Sequence, residues 1–334
     1  MTLRLAVIGA GIMGADHARI IAEDLPGATL QVICDASAER ARAVAEAHGA
    51  ADVATDPEAV IARPDVDAVL IASPDETHAP LTLACIAADR PVLCEKPLAP
   101  GSAACIEVME AEIAAGKRLE QLGFMRRFDG SYTEMKAALD GGQIGRALMM
   151  HNFHRNVDSP GSWFTGPMAI TNSASHEFDV VRFVLGTDYA TISAFQPKRS
   201  DDMVAPVMMV LETAAGQLVN IEINNNAAYG YDVRGELVGE AGSVMMSTPV
   251  YATYNSQLAH AERYAADWRR RYAEAYRLQN RAFLDFAVTG RPSAIAASAW
   301  DGYAAAVAGE AGVKALASGA KAPVEMMAKP DFYS

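Results

Sequence analysis

Basic residues are scarce beside acidic ones. There are 28 Lys and Arg against 41 Asp and Glu, a net charge of −13 over 334 residues. A surface that acidic repels phosphate backbones and anionic lipids, so neither nucleic acid nor a membrane surface is an expected partner. A single cofactor phosphate held by local backbone amides is not excluded by that argument. Cysteine is also sparse. Cys34, Cys85, Cys94 and Cys105 all lie in the first third and form no CxxC pair. So few in so long a chain do not make a disulfide framework, and they are expected to be reduced, in the cytoplasm. No uncharged apolar run reaches ~18 residues, so no transmembrane helix is expected. The first residues run straight into an apolar strand and a glycine turn, without the layout of a signal peptide. Repeats, low-complexity tracts and long linkers are missing. What remains is 51% hydrophobic and 21% charged, the balance of an ordinary globular protein. At about 150 residues per domain the length implies two domains. Either can bury a core without metals or disulfides.

The first 120 residues alternate short apolar runs with helical patterns. Strands are expected at 3–8, 29–34, 68–72, 91–94 and 119–124, and helices at 11–23, 38–48, 78–88 and 102–115. Strands that alternate with helices in this way pair in parallel beneath covering helices, in a doubly wound sheet with right-handed crossovers. From about residue 123 the pattern changes. Strands are expected at 147–153, 191–196, 204–212, 218–224 and 232–239, and helices over 255–290 and 299–317. That is an α+β domain with a largely antiparallel open sheet. The fold class is therefore α/β: an N-terminal Rossmann domain over 1–122, and a substrate-binding and oligomerisation domain over 123–334.

The segment Gly9-Ala10-Gly11-Ile12-Met13-Gly14 is a GxGxxG. Glycine spacing alone is weak, but this one follows an apolar strand and opens a helix. Gly9 permits the tight turn, Gly11 lets a pyrophosphate approach the backbone, and Gly14 lets helix and sheet pack closely. The helix N-terminus offers free amides and a favourable dipole. Asp35 follows the second strand, about 20 residues on, where a carboxylate accepts from a ribose 2′-hydroxyl and repels a 2′-phosphate. NAD is the expected cofactor. Arg40 lies close enough in sequence to meet a phosphate.

Further residues carry a family resemblance. Ser73-Pro74-Asp75-Glu76-Thr77-His78 follows the third expected strand, and Cys94-Glu95-Lys96-Pro97-Leu98 follows the fourth. With the glycine turn these resemble the Gfo/Idh/MocA family of nicotinamide-dependent sugar and polyol oxidoreductases. His176-Glu177-Phe178-Asp179 is similar to that family's HxxD helix. Its inositol-type branch is resembled by the run from Gly123 through Met125, Arg126 and Arg127 to Asp129, by His154-Arg155-Asn156, by Tyr229-Gly230-Tyr231-Asp232, and by Trp268 ahead of Tyr272 and Tyr276. The resemblance covers essentially the whole chain.

It implies hydride transfer between a hydroxyl-bearing ring carbon of inositol, or a related cyclic polyol, and a nicotinamide. Lys96 would hydrogen-bond the reacting oxygen beside the cofactor, and His176 would be the general base. The implied cofactor contacts are Gly9, Gly11, Ile12, Met13, Gly14, Asp35, Ser73, Pro74, His78, Glu95 and Lys96. The implied substrate contacts are Lys96, Met125, Arg126, His154, Asn156, Asn172, His176, Tyr231 and Trp268. Asn172 stands where the family has a carboxylate, and it is grouped with Lys96 and His176 as catalytic. The chemistry agrees: an alcohol that loses hydride must also lose its proton to a base near neutral pKa. An ammonium stabilises the oxyanion that develops. No metal is required. His151 and His154, three apart on a strand, point to opposite faces and make a poor metal pair.

Each residue also has a plainer reading. Lys96 is then a solvated loop lysine, His176 a core histidine, and Asp179 with Arg182 a helix ion pair. Trp268 and Tyr272 are core aromatics, and Asn224 to Asn226 a strand-end turn. Residues 269–271, three arginines, are a solvated helix face or subunit contact. Two other functions compete: a pyranose dehydrogenase or reductase of the same family, and a non-catalytic NAD-binding regulator. The strand around 207–211 is apolar on both sides, and such strands are normally covered on both sides. The resemblance implies pairing through the open sheet of the second domain, and a homo-oligomer, a tetramer, is the expected assembly.

Overall fold

A computed structural model describes residues 2–247 and 252–334. The chain begins with β1 (Leu3–Ile8), α1 (Ile12–Asp24), β2 (Ala28–Cys34), α2 (Ala38–His48), β3 (Asp52–Ala54), α3 (Pro57–Ile61), β4 (Ala68–Ile71), α4 (His78–Ala87), β5 (Val92–Glu95), α5 (Ser102–Ala115) and β6 (Glu120–Gly123). The six strands pair in parallel in the order β3-β2-β1-β4-β5-β6. This is the doubly wound Rossmann order, and it reverses between β1 and β4. Every residue of β4 and β5 is buried, as strands covered by helices on both faces must be. Local chemistry sets the helix starts. Ser37 Oγ accepts from the Arg40 N–H at the head of α2, and Asp56 accepts from Glu58 and Ala59 ahead of Pro57 in α3.

The chain continues through α6 (Gly130–Asp140), β7 (Ala147–Arg155), α7 (Gly166–Met168), a π-turn (Ala169–Ser173), α8 (Ser175–Leu185), β8 (Tyr189–Phe195), β9 (Val207–Thr213), β10 (Leu218–Asn224), β11 (Asp232–Gly239) and β12 (Ser243–Met245). Then come the hairpin β13 (Thr253–Ser256) and β14 (Ala259–Glu262), α9 (Trp268–Arg271), α10 (Ala273–Thr289), α11 (Ala299–Ser318) and β15 (Ala322–Pro323). Seven strands form the second sheet, β12-β11-β7-β10-β9-β8-β15. Among the described residues its only parallel pair is β7 with β10. The register puts Val207, Met209, Leu211, Ile221 and His154 on a buried face, which α8 covers in part. The opposite face carries Met208, Val210 and Phe195, 37%, 39% and 55% exposed. The apolar outer side of β9 is thus uncovered within one chain.

The helix expected over 255–290 is a correction. Residues 253–262 form a hairpin, and regular helix starts only at Trp268. Gln257 and Leu258 both adopt positive φ, the backbone of a two-residue hairpin turn, and Arg263 stacks over the Tyr254 ring. Two compact units emerge. One is residues 1–128 with 274–306 and 327–334; the other is 129–273 with 307–326. The expected linear boundary at 122/123 leaves out the returning segments. These are joined to the first unit by long-range contacts: Gln121 Nε2 donates to the Gln279 carbonyl, Leu122 bridges to Ala297, and the Tyr333 hydroxyl donates to Glu112 at 2.7 Å.

Candidate active site

In the first unit, the glycine turn lies at the point where the strand order reverses. Gly9 has φ +101°, and a Cβ there would lie 2.4 Å from the Ala72 carbonyl oxygen. A Cβ on Gly14 would fall 1.7 Å from the Gly9 carbonyl oxygen, so α1 could not approach the turn. Gly11 differs: a Cβ there would meet nothing within 4 Å. Gly9 and Gly11 line a cavity of about 670 Å³, together with Asp35, Arg40, Ser73 and Pro74. Ile12, exposed, and Met13 follow on the first turn of α1. The open space at Gly11, beside the free amides of a helix start, suits a diphosphate, and Asp35 suits a ribose diol. The residues present therefore fit NAD.

Asp35 does more than line the cavity. Its carboxylate accepts from the backbone N–H of Ala10 and of Ser37, both at 2.8 Å, and from Arg40 at 2.8 Å. Burial pushes this carboxyl up, but those donors outweigh it and hold it below the usual range. The same acid thus pins the glycine turn and stays ionised. Arg40, mostly exposed, is its ion-pair partner at the cavity edge.

His78 is 1% exposed, and its ring spans two backbone carbonyls, Ser73 at 2.8 Å and Pro97 at 2.6 Å. It ties the loop after β4 to the loop after β5. Glu95 ends β5, buried, with its carboxylate against His17 at 2.8 Å. Lys96 follows, part-buried. Met125 and Arg126 lie in a single 3-10 turn after β6, both 1% exposed, and Arg127 pairs with Asp301 at 2.8 Å.

In the second unit, Asn172 lies in the π-turn and His176 one turn further on, at the start of α8. Single π-turns inside helices recur at functional sites because they displace one side chain from the regular helical positions. Two contacts anchor this segment to the sheet. Asn225 Nδ2 donates to Ser173 Oγ at 3.1 Å, and Glu177 meets His154 Nδ1 at 3.3 Å. The His154 ring lies edge-on to Tyr231 at 5.7 Å, and Tyr231 edge-on to Tyr272 at 6.3 Å. Trp268 accepts the Tyr272 N–H at its carbonyl, one turn away. Asn156 continues β7, its backbone bonded to Asn224 and Ala227.

The motifs divide by strand alternation. In the tyrosine segment Tyr231 meets His154, whereas Tyr229 donates to Asp232 at 2.8 Å and accepts from Arg155. His151 is exposed and His154 buried, on opposite faces as expected. Arg182 pairs with Asp188 at 2.8 Å. Arg271 departs from the expected solvated arginine run, because it is buried against Asp129 at 2.8 Å. Sequence reasoning passed over Glu177 and His17. Glu177 is inside the quoted HxxD segment, where its neighbour drew the attention. His17 sits on the buried side of α1, where a lone histidine gives no signal.

Residues 3–122 match the profile of an oxidoreductase family with an NAD-binding Rossmann fold, and residues 132–245 match the Gfo/Idh/MocA C-terminal domain. The chain is 45% identical to inositol 2-dehydrogenase 2 of Saccharopolyspora erythraea, over 100% of this chain and 99% of that one. It is 41% identical to the inositol 2-dehydrogenase of Burkholderia cenocepacia, with 100% and 99% covered. Among solved structures, it superposes on myo-inositol dehydrogenase from Lactobacillus casei, in complex with NAD(H) and myo-inositol. That TM-score is 0.94, with 28% identity and all of both chains covered. With both halves matched and relatives aligned from end to end, the chain belongs to the Gfo/Idh/MocA family of NAD-dependent oxidoreductases.

Proposed function

We propose that this chain is an inositol dehydrogenase, oxidising a ring secondary hydroxyl of inositol or a closely related cyclic polyol to the ketone. The observation that carries the proposal is the end-to-end likeness to inositol 2-dehydrogenases, at 45% identity. NAD, when bound, supplies the acceptor for the hydride leaving the carbinol carbon. Gly9, Gly11 and Gly14 with the head of α1 hold its diphosphate, Asp35 its adenosine ribose, and Ser73, Pro74 and the Glu95–Lys96 segment flank the rest. Lys96 donates to the reacting oxygen and stabilises its negative charge. His176 takes the hydroxyl proton. His154 reads a substrate hydroxyl. With Nδ1–H directed at the Glu177 carboxylate, its Nε2 lone pair is the acceptor. Asn156, Arg126 and Asn172 supply further polar contacts, and Met125, Tyr231 and Trp268 an apolar wall, as a ring of hydroxyls requires.

The assembly is a homo-oligomer, a tetramer. The exposed Met208, Val210 and Phe195 on the open sheet face support this. The four buried thiols fit a reducing compartment, the cytoplasm. The pyranose reading shares the chemistry and differs only in which hydroxyls are read. The experiment is oxidation of myo-inositol with NAD by wild type, Lys96→Met and His176→Ala. Loss of kcat by about 10²–10⁴-fold in His176→Ala is expected for a general base. Turnover near wild type in either variant removes that residue from the reaction.

A further inference from the structure

We propose that Glu95 is a positioning residue for Lys96 and that His17 holds it in place, tying the lysine loop to the helix opened by the glycine turn. The inference rests on the reading of Lys96 given above. Glu95 is buried, and its Oε1 lies 2.8 Å from Nε2 of His17 on α1. His17 has no exposed surface, and its other ring nitrogen, Nδ1, lies 2.9 Å from Nδ2 of Asn280 on α10. With the Asn280 amide nitrogen as donor, Nδ1 takes the lone pair and Nε2 the proton given to Glu95. Tyr276, one turn before Asn280, holds the imidazole edge-on at 5.7 Å.

The second carboxylate oxygen of Glu95 accepts the backbone N–H of Lys96 at 3.3 Å. Room for that carboxylate exists because its ladder partner is Gly123. A Cβ on Gly123 would stand 3.0 Å from the Glu95 Cα and from its carboxylate oxygen. A buried carboxylate is a poor choice for filling space, since an apolar residue of the same volume is at least as stabilising. This one instead fixes the peptide from which the Lys96 side chain departs, and a misplacement of about 1 Å at a reacting group costs on the order of 10²-fold in rate. The partner that orients Glu95 comes from α1, and that partner's own orientation comes from α10, 263 residues away in sequence. Glu95 therefore acts through Lys96 and not as a group touching substrate.

The test compares Glu95→Gln, His17→Phe, His17→Gln, the double variant of His17→Phe with Glu95→Gln, and Lys96→Met. Each is assayed as the intact oligomer with myo-inositol and NAD. Glu95→Gln and His17→Phe are each expected to lower kcat by about 10–100-fold, far more than either raises the KM for inositol, and His17→Phe is expected to leave the Kd for NAD unchanged. The double variant should be no slower than the worse single one, because the two residues act as a unit. His17→Gln keeps a side-chain donor toward Glu95 and should recover most of kcat. If His17→Phe fails to fold, Glu95→Gln and His17→Gln decide by the same kcat criterion. Activity surviving in Lys96→Met would overturn the reading of the lysine itself. An inactive Lys96→Met beside Glu95→Gln at wild-type kcat would overturn this inference alone. So would losses that multiply in the double variant, or the absence of recovery in His17→Gln.

Discussion

Asp35 shows how one side chain serves two ends. Its carboxylate anchors Ala10 in the glycine turn and faces the cavity where a ribose would bind. Because its donors hold it ionised below the usual carboxylate range, NAD affinity should stay flat from pH 8 down to about 5. A rise in Kd across that interval, measured by titration, would contradict the assignment. The stability it lends is present above the unfolded carboxyl pKa and is lost as pH falls through the lower folded value. Asn172, in the π-turn ahead of His176, is the other residue at which the proposed chemistry is open to test. It has the size of the family carboxylate without the charge. Asn172→Asp should move the acid limb of kcat/KM upward by about one pH unit, since a neighbouring anion favours the protonated form of the His176 base. A changed ranking of inositol isomers with an unmoved limb would instead make Asn172 a residue that reads one hydroxyl.

At the scale of elements, β6 carries an unusual burden in Glu120, a carboxyl with no exposed surface. Burial, and then the neighbouring Glu112 carboxylate, push its pKa well above the usual value. The folded state therefore prefers Glu120 protonated. Its stability falls as pH rises from about 4.3, the unfolded carboxyl value, through the raised folded one. Glu120→Gln should accordingly unfold at higher temperature than wild type at pH 8 and show little difference at pH 4. A lower Tm at pH 8 would refute this. The runs of β1, β4 and β5 were legible because parallel strands covered on both faces are apolar over most of their length, Arg4 and Glu95 being the charged residues in these three. The glycine turn was legible because its spacing falls between an apolar strand and a helix, where Gly9 and Gly14 each meet a steric demand that a Cβ would violate. The hairpin over 253–262 was not, because its turn uses Gln257 and Leu258, residues that carry no turn signal. The Glu177–His154 and Asn280–His17 contacts were also hidden. Partners 23 and 263 residues apart leave no periodicity to read. The roles of Lys96 and His176 came from resemblance, since a lysine before a proline and a histidine at a helix start have ordinary structural uses.

At the scale of the whole molecule, an acidic two-unit chain leaves one apolar sheet face open. Met208→Glu on that face should convert the expected tetramer to a smaller species by native mass measurement. A wild-type monomer at micromolar concentration would contradict the assembly outright. The family assignment supports hydride transfer at a carbinol as the proposed reaction class, whereas the identity of the ring would depend on a handful of polar contacts. A site built to pair a particular hydroxyl rejects analogues that leave its buried groups unpaired by far more than apolar fit alone achieves. The central claim is therefore tested most directly by initial rates of nicotinamide reduction by the wild-type protein, over a panel of inositol isomers and hexopyranoses, with NAD and with NADP. The account predicts the highest kcat/KM for an inositol with NAD, and weaker use of NADP because the ionised Asp35 lines the cavity beside the glycine turn and would repel a 2′-phosphate. A pyranose turned over faster than every inositol, or no reduction with any polyol, would contradict it.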